Sequence, residues 1–379
     1  MTELVRQEIA TTARTLVVKV GTRVLTDATG RLDQDQIEQL GRQIHQALES
    51  DRRVVLVSSG AVGAGMGRLG LAGRPTDLAH LQAVAAVGQS VLVEAYERTL
   101  HHHGHHAAQI LLTADDLNQR TRYLNARNTI LKLLELGAVP VINENDTVAV
   151  DELQTTFGDN DHLAAMVTNL IQAPLLVLLS DVEGVFDGDP EEPGSQLIPT
   201  ITRLDRSVFD LARDHRGGMS KGGMASKLQA ARLATRGGEN VIIASGRQPD
   251  VISRIIRGDQ VGTLILAQGQ TLAARKRWIG FTARPRGQLT LDAGARGAVE
   301  AKGRSLLAIG VTGVTGRFNK GDVVALRDGA GEEFARGLSN YPSEELARII
   351  GRKTGEIAQI LGHCPYDEVI HRDNMVLTR

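Results

Sequence analysis

The sequence predicts an α/β protein in which a three-layer sandwich surrounds a mostly parallel sheet, followed by a small, mostly β domain. Three observations predict this arrangement. Short apolar runs alternate with helical patterns as far as residue 266. The runs are continuously apolar, which is typical of parallel strands that are buried on both faces. Beyond Arg284-Pro285-Arg286, short β-like runs separated by glycine turns take their place.

Apolar runs predict the strands of the first domain, and apolar residues at helical spacing predict the helices between them. The predicted strands are residues 15–20, 53–58, 107–113, 138–143, 175–180, 239–244 and 263–266. The predicted helices are residues 33–50, 77–103, 125–136, 162–171 and 226–236. Alternation of this kind is typical of a layered α/β domain.

The second domain has its own pattern of short elements. Its predicted strands are residues 288–291, 305–309, 323–327 and 333–337, and its predicted helix is residues 343–351. We therefore expect an α/β domain over residues 1–275, a mostly β domain over residues 285–364 and a C-terminal tail over residues 365–379.

Composition narrows the class of protein. The 379 residues are 42% hydrophobic and 23% charged, as in ordinary soluble proteins. The net charge of −1 creates no global attraction to nucleic acid or acidic membranes, and 3% aromatic residues offer few stacking platforms for single strands. Residues 1–12 lack the apolar core of a signal peptide, and no apolar run approaches the ~20 residues that cross a bilayer. We expect a cytoplasmic protein with no membrane association.

Short acids and amides follow the predicted strand that ends at residue 143. Residues 143–146 read Asn-Glu-Asn-Asp, and residues 158–161, Gly-Asp-Asn-Asp, open the next helix. Open parallel sheets bind ligands at the carboxyl ends of their strands. Packing does not explain so many polar residues there. The pattern predicts a pocket for a small molecule that carries an amine and carboxylates.

Glycines and lysines follow other strand ends. Residues 59–65 are suited to cradle an anion, although close packing of a helix explains the same glycines. Lys19 ends an apolar strand, where a lysine is costly unless it is paired or reaches solvent. Lys227 lies in the first turn of a predicted helix, where the helix dipole disfavours a cation. Each lysine is explained either as a surface residue or as a fixed positive charge that faces a phosphate.

Two further features predict no site. The histidine run at residues 101–106 falls between a helix and a strand, and we interpret it as a solvated loop, with adventitious metal binding as the alternative. Cys364 is the only cysteine, so an internal disulfide is excluded and a cysteine-built metal site is not expected. We predict no protein ligands for a metal.

Taken in order, several motifs are similar to those of a known family. They lie at residues 17–22, 58–61, 85–89, 124–127, 141–146, 158–161, 222–227, 276–279 and 371–373. Residues 292–295, 305–307, 314–316 and 321–324 resemble a PUA domain. Over nearly its whole length the chain resembles the glutamate 5-kinase family of the amino acid kinase superfamily.

The resemblance implies phosphoryl transfer from ATP, with Mg²⁺, to the side-chain carboxylate of L-glutamate, which is the first step of proline biosynthesis. It also implies feedback inhibition by L-proline, a homo-oligomer and handover of the product to glutamyl phosphate reductase. Lys19, Lys227 and Asp161 match catalytic positions, where Asp161 orients the two lysines. The glutamate site matches Ser59, Asp146 and Asn160. The ATP site matches Lys19, Ser180, Asp181, Lys221, Gly222, Gly223, Met224, Ala225, Ser226 and Lys227.

Lys221 departs from the family pattern, which has a small polar residue before the two glycines.

Two alternatives to the phosphorylation of L-glutamate stay open. One is another member of the superfamily, an N-acetylglutamate or aspartate kinase. The ammonium-binding acids argue against an acetylated substrate, and the PUA-like domain argues against both. The other is RNA binding through the PUA-like domain, whose basic residues are mixed with acids.

Overall fold

The structure is a computed structural model that describes residues 2–149, 159–190, 192, 194–211, 223–268 and 274–378. The chain divides into two compact units, Met1–Thr271 and Leu272–Arg379. The first contains an eight-stranded sheet with helices, and the second contains a separate five-stranded sheet. The predicted fold class, a mostly parallel α/β domain with a small β domain, is confirmed.

The sheet of the first unit is parallel over most of its width. Its strands are β1 (Thr15–Val20), β2 (Arg53–Ser58), β3 (Ala107–Leu112), β4 (Val139–Glu144), β5 (Leu175–Ser180), β6 (Thr200–Ile201), β7 (Asn240–Ser245) and β8 (Thr263–Ile265). They lie in the order β3-β4-β2-β1-β5-β7-β8-β6, and the β7–β8 pair is antiparallel. The carboxyl ends of the first six strands in that order therefore meet along one edge.

Helices connect the strands of this unit. They are α1 (Thr2–Thr12), α2 (Thr22–Leu25), α3 (Gln34–Glu49), α4 (Ala61–Leu69), α5 (Leu78–His101), α6 (Ala114–Asn118), α7 (Arg120–Glu135), α8 (Asp159–Ile171), α9 (Arg206–Leu211), α10 (Met224–Arg236) and α11 (Val251–Arg257). Aspartates begin two of the long ones, because the side chains of Asp33 and Asp77 accept hydrogen bonds from backbone N–H groups of the first turn.

Alternation along β1 separates two faces of the sheet. Val18 and Val20 belong to a buried apolar cluster to which α3, α5 and α11 contribute. Because successive side chains of a strand point to opposite faces, Val17 and Lys19 project to the other side. Helices α8 and α10 pack together there, with α8 against β1. The unit thus has three layers, and Lys19 faces the layer that contains α8 and α10.

Helix α5 is the one described helix that is long and apolar enough to cross a membrane. Its apolar side chains have another explanation, because Leu92, Tyr96 and Leu100 are fully buried in the cluster that covers the sheet. The helix also packs closely on α4 and α3. We therefore interpret α5 as a core helix of the first unit.

The second unit contains a mixed sheet in the order β10-β9-β11-β12-β13. Its strands are β9 (Gly287–Leu291), β10 (Val311–Gly316), β11 (Val323–Arg327), β12 (Glu333–Leu338) and β13 (Met375–Leu377). Its helices are α12 (Ala274–Arg277), α13 (Ala293–Glu300), α14 (Ser343–Ile349) and α15 (Thr354–Leu361), with a π-helical turn at Trp278–Thr282. Phe334 and Tyr341 are fully buried in its core.

One predicted strand of the second unit was wrong. Residues 305–309 do not pair along a strand, since Leu306 makes one isolated bridge to Ile370 and Ala308–Gly310 forms a short 3-10 turn. The run is apolar because Leu306 and Ala308 are buried in the core. Strand β10 was not predicted, because its sequence, VTGVTG, is half-exposed and has no apolar run.

Candidate functional site

Polar residues gather where the central strands of the first unit end. Lys19 lies near the end of β1, Ser59 follows β2, Asn143 lies in β4, and Ser180 ends β5. All four are buried. Ser59 is held beside β1, because its backbone N–H donates to the carbonyl of Val20 at 3.1 Å. The strand ends thus form one polar rim, as predicted.

Two lysines from distant segments meet one carboxylate at this rim. Nζ of Lys19 lies 2.6 Å from Oδ1 of Asp161, and Nζ of Lys227 lies 3.3 Å from Oδ2. Asp161 is in the first turn of α8 and Lys227 is in the first turn of α10, and both helices lie in the layer that Lys19 faces. The side chains are only 6%, 1% and 7% exposed for Lys19, Asp161 and Lys227. The structure therefore brings all three predicted catalytic residues together.

Electrostatics hold this cluster in its ionised form. Burial alone raises the pKa of Asp161, but the charges of Lys19 and Lys227 outweigh burial and keep that pKa below its ordinary value. Removing charges from water is costly, and such clusters persist only where their partners compensate. The location of Lys227 against the dipole of α10 is explained by its ion pair with Asp161.

A chain of amide hydrogen bonds lies beside the ionic cluster. Nδ2 of Asn160 donates to Oγ of Ser59 at 2.9 Å and lies 3.0 Å from Oδ1 of Asn143. Nδ2 of Asn143 donates to Oε1 of Gln89 at 2.8 Å. Nε2 of Gln89 is buried and has no hydrogen-bond partner within the described parts of the chain. A buried donor of this kind is costly unless a ligand or water accepts from it.

Asn143 was predicted only as part of the polar pocket at residues 143–146, without a role of its own, and Gln89 was not predicted as a site residue. Both lie within motifs that the sequence analysis had noted, residues 141–146 and 85–89. The sequence does not reveal their hydrogen bond, because Gln89 lies in the middle of α5 and Asn143 lies in β4, far away along the chain. The structure adds both residues to the candidate site as supports for Asn160.

Asp146 lies just beyond β4 and is only 9% exposed. Burial raises its pKa to about 6, and the charge of Arg74 works in the opposite direction. Burial makes the ionised form of this carboxylate costly, so a cationic group of a ligand that pairs with it would be bound favourably. Asp159 begins α8, and its side chain lies outside the described residues.

The residues predicted for the ATP site lie at the carboxyl end of β5 and at the start of α10. Oγ of Ser180 donates to Asp181 at 2.9 Å, and Arg23 pairs with the same carboxylate at 2.7 Å. Burial opposes these bonds, yet together they keep the pKa of Asp181 below its ordinary value. Gly223 caps α10, and Met224, Ala225 and Ser226 form its first turn. Lys221 and Gly222 lie outside the described residues.

The glycines of residues 59–65 have more than one role. Gly60 has φ of 107°, a left-handed conformation that favours glycine, where the chain turns from β2 into α4. Gly65 is a packing residue, because a Cβ added there would lie 1.9 Å from the carbonyl oxygen of Val84. The interpretation as close helix packing therefore holds for Gly65, while the first turn of α4 still presents backbone N–H groups at the rim.

Comparison with known proteins places the chain in a family. The model of the amino acid kinase family matches residues 14–245, and that of the PUA domain matches residues 287–361. Glutamate 5-kinase from Rhodopirellula baltica is 50% identical over 98% of this chain and 96% of its own length. Those from Moorella thermoacetica and Thioalkalivibrio sulfidiphilus are 47% and 49% identical over 96% of this chain, and 96% and 97% of their own lengths.

The chain belongs to the amino acid kinase family, in the group of glutamate 5-kinases that carry a C-terminal PUA domain. The family and the enzyme class predicted from the sequence are confirmed.

Proposed function

We propose that the chain transfers the γ-phosphoryl group of ATP to the side-chain carboxylate of L-glutamate. The products are L-glutamyl 5-phosphate and ADP, and the reaction is the first step of proline biosynthesis. One observation carries the proposal: the ammonium groups of Lys19 and Lys227 converge on the buried carboxylate of Asp161. One cation lies near the carboxyl end of β1 and the other at the start of α10, and together they are suited to bind the negatively charged phosphates of ATP.

The chemistry explains why charge dominates the site. A carboxylate is ionised near neutral pH and is already a nucleophile, so the reaction needs no general base. The barrier arises mainly from bringing two anions together and from the charge that spreads over the transferring group. Preorganised ammonium groups lower that barrier, because their orientation is set before the reaction begins. Asp161 is the residue that orients both lysines.

The nucleotide side is assigned to β5 and the start of α10. Backbone N–H groups at the N-terminus of α10 attract phosphate, and Ser226 and Lys227 are buried in the same turn. The carboxylates of Asp161 and Asp181 each have cationic partners already. No described carboxylate of this region is therefore left over for a metal, and a Mg²⁺ ion would be bound chiefly by ATP, where it would neutralise charge on the phosphates.

The glutamate side is assigned to the amide chain and Asp146. Asp146 accepts the substrate ammonium, and Asp159 is the alternative residue for that contact. Ser59 donates its hydroxyl hydrogen to a substrate carboxylate. The two amide hydrogens of Asn160 are directed at Ser59 and Asn143, so Asn160 donates to the substrate through its backbone N–H in the first turn of α8, while Asn143 and Gln89 hold its side chain in place. Because Asp146 is buried, a cationic group binds there more strongly than it would at an exposed carboxylate.

Substrate comparison tests the proposal. Purified protein is assayed for ADP release with L-glutamate, L-aspartate and N-acetyl-L-glutamate, and hydroxylamine traps any acyl phosphate formed. We expect turnover with L-glutamate and a trapped glutamyl hydroxamate. Preference for N-acetyl-L-glutamate or L-aspartate would replace the proposal with the neighbouring kinase activities. The same assay with L-proline tests feedback inhibition.

We also predict that the protein is a homo-oligomer in the cytoplasm, that L-proline inhibits it, and that it hands its product to glutamyl phosphate reductase. The basic residues of the second unit are mixed with acids, so we favour a solvated surface over RNA binding there.

A further inference from the structure

A histidine-rich turn, residues 101–106, joins α5 to β3 at the amino edge of the sheet. The candidate active site lies at the other edge, where the strands end. Three of the five histidines in the turn are exposed, whereas His103 and His105 are half-buried. The turn is therefore largely exposed, as expected for the solvated loop that the sequence predicted, but His103 and His105 pack on the fold.

The packing partner is His45, from α3. Nδ1 of His45 lies 3.1 Å from Nε2 of His105. The ring of His45 also stacks on His103, with centroids 4.4 Å apart and planes 10° from parallel. These contacts fix the orientation of imidazoles that come from different elements.

The turn is held in shape by its own contacts. The two carboxylate oxygens of Glu97 lie 3.0 Å from Nδ1 of His106 and 2.5 Å from the backbone nitrogen of Ala107. The hydrogen bond from His106 is the main reason that the pKa of Glu97 is below its ordinary value. The N–H of His105 donates to the carbonyl of Leu100 at 3.1 Å, and Gly104 has φ of 79°. The position of His105 is therefore fixed by the turn.

We propose that His45, Glu49 and His105 bind one divalent transition-metal ion, with Zn²⁺ as the expected occupant. One ligand atom from each of the three lies within 4.8 Å of the others. His45 and Glu49 are four residues apart on α3, so they project from the same helix face. Two imidazole nitrogens at ~2.0–2.1 Å from a tetrahedral Zn²⁺ are about 3.3 Å apart, close to the separation seen here.

A direct hydrogen bond between His45 and His105 explains the same short distance. That bond gives no role to Glu49, however, whereas a metal site uses its carboxylate as the third ligand. A second cluster, Glu97, His101 and His106, also has ligand atoms within 4.8 Å of one another. Glu97 already accepts from the backbone there, so we favour the cluster on α3.

The chemistry of the three ligand groups decides which ion fits the site. Imidazole and carboxylate together suit Zn²⁺, and Ni²⁺ and Cu²⁺ are the chemically related alternatives.

The site would connect α3 to the turn between α5 and β3. The six residues of β3 span about 20 Å, so the ion would lie far from the strand ends that hold Lys19. We expect it to stabilise the folded chain through mass action, because the unfolded chain does not hold the three ligands together. The expected effect is a rise in melting temperature with added Zn²⁺.

The test uses the full-length chain without any affinity tag, stripped of metal with a chelator. Zn²⁺ is titrated by calorimetry, and Co²⁺ is used as an optical probe of coordination. His45→Gln, Glu49→Gln and His105→Gln remove ligands one at a time. His102→Gln is the matched control, because it removes a histidine that belongs to neither cluster. His101→Gln reports on the second cluster.

We expect one Zn²⁺ per chain, a tetrahedral Co²⁺ spectrum, and affinity that falls at least about tenfold in each ligand variant. His102→Gln and His101→Gln should bind as the parent does. Circular dichroism and kinase activity show which variants are folded. If a histidine variant fails to fold, the Co²⁺ spectrum of Glu49→Gln decides whether the cluster on α3 binds the metal. No stoichiometric binding, unchanged binding in His45→Gln and Glu49→Gln, or equal small losses in every variant would overturn the proposal. Loss in His101→Gln alone would move the site to the second cluster.

Discussion

Two clusters of ionisable side chains lie at opposite edges of the same sheet, and they are built differently. Lys19, Asp161 and Lys227 meet at the carboxyl edge and are almost fully buried. His45, Glu49 and His105 meet at the amino edge, where Glu49 is exposed and the imidazoles are half-buried. The first cluster is held together by its own ion pairs, so folding alone fixes its charges. The second cluster is open to solvent, and its proposed metal ion would have to bind from solution.

The largest expected effect is on the stability of the buried cluster. Asp161→Asn leaves two buried ammonium groups without their shared carboxylate, so we expect the free energy of unfolding to fall by about 3–5 kcal/mol. Urea denaturation at pH 7 measures it. The exposed pair between Arg14 and Asp51 is the control, and Asp51→Asn should change stability by less than about 1 kcal/mol.

The sign of the pH dependence follows from the pKa of Asp161. Because the folded-state pKa lies below its unfolded value, the stabilisation is present above the unfolded value and is lost as pH falls through the folded one. In Asp161→Asn that contribution to acid unfolding should be absent. Equal stability of the two proteins at pH 7 would contradict the role given to the ion pairs.

The next effect is on catalysis at the carboxyl edge. Lys227→Met keeps most of the buried volume but removes a cation, so we expect kcat/KM to fall on the order of 100- to 1,000-fold. Steady-state kinetics measure this loss. Lys132→Met, which removes an exposed lysine paired with Glu135, should leave kcat/KM unchanged. Equal kinetics for the two variants would show that burial of Lys227 is structural only.

Asp146 gives an effect confined to one substrate. Asp146→Asn removes the expected partner of the substrate ammonium, so the KM for L-glutamate should rise about 10- to 100-fold while that for ATP stays constant. In the parent enzyme, kcat/KM for L-glutamate should fall as pH drops below about 6, because Asp146 becomes protonated. The variant should lose that acidic limb. Equal changes in both KM values would count against the assignment.

The smallest expected effect concerns the amide chain. Gln89→Met preserves length but removes the acceptor for Asn143, so Asn160 is held less firmly. We expect the KM for L-glutamate to rise a few-fold, by about 1 kcal/mol of binding energy, with kcat nearly constant. Gln39→Met, on the exposed face of α3, is the control. A large loss of kcat with unchanged KM would assign Gln89 a different role.

The two clusters also differ in how far the sequence predicted them. The positions of Lys19 near a strand end and of Lys227 at a helix start indicated a site at the edge where parallel strands end. The catalytic roles of Lys19, Asp161 and Lys227 were implied by the family resemblance. His105 stood out in its run, but His45 lies within an ordinary helical pattern and nothing in the sequence connects the two. A contact between α3 and a distant turn arises only from packing, which local pattern does not encode.

The same limit explains the errors in the elements. Buried runs such as those of β1 and β5 predicted strands to within one residue, because both faces of each strand are apolar. Residues 305–309 were apolar for a different reason, since two of them fill the core from a turn. The role of Gln89 could not be predicted either. Its hydrogen bond to Asn143 arises from tertiary structure, and its neighbours in sequence are those of a core helix.

The close approach of α4 and α5 has a consequence for natural variation. A Cβ at Gly88 would lie 1.8 Å from the carbonyl oxygen of Ala61, and one at Gly65 would collide with the backbone of α5. Ser59 precedes one helix and Gln89 follows Gly88 in the other. A single added methyl group at either glycine would therefore wedge the helices apart and displace Ser59 and Gln89 together, so we expect the proposed glutamate site to constrain positions that never touch the substrate.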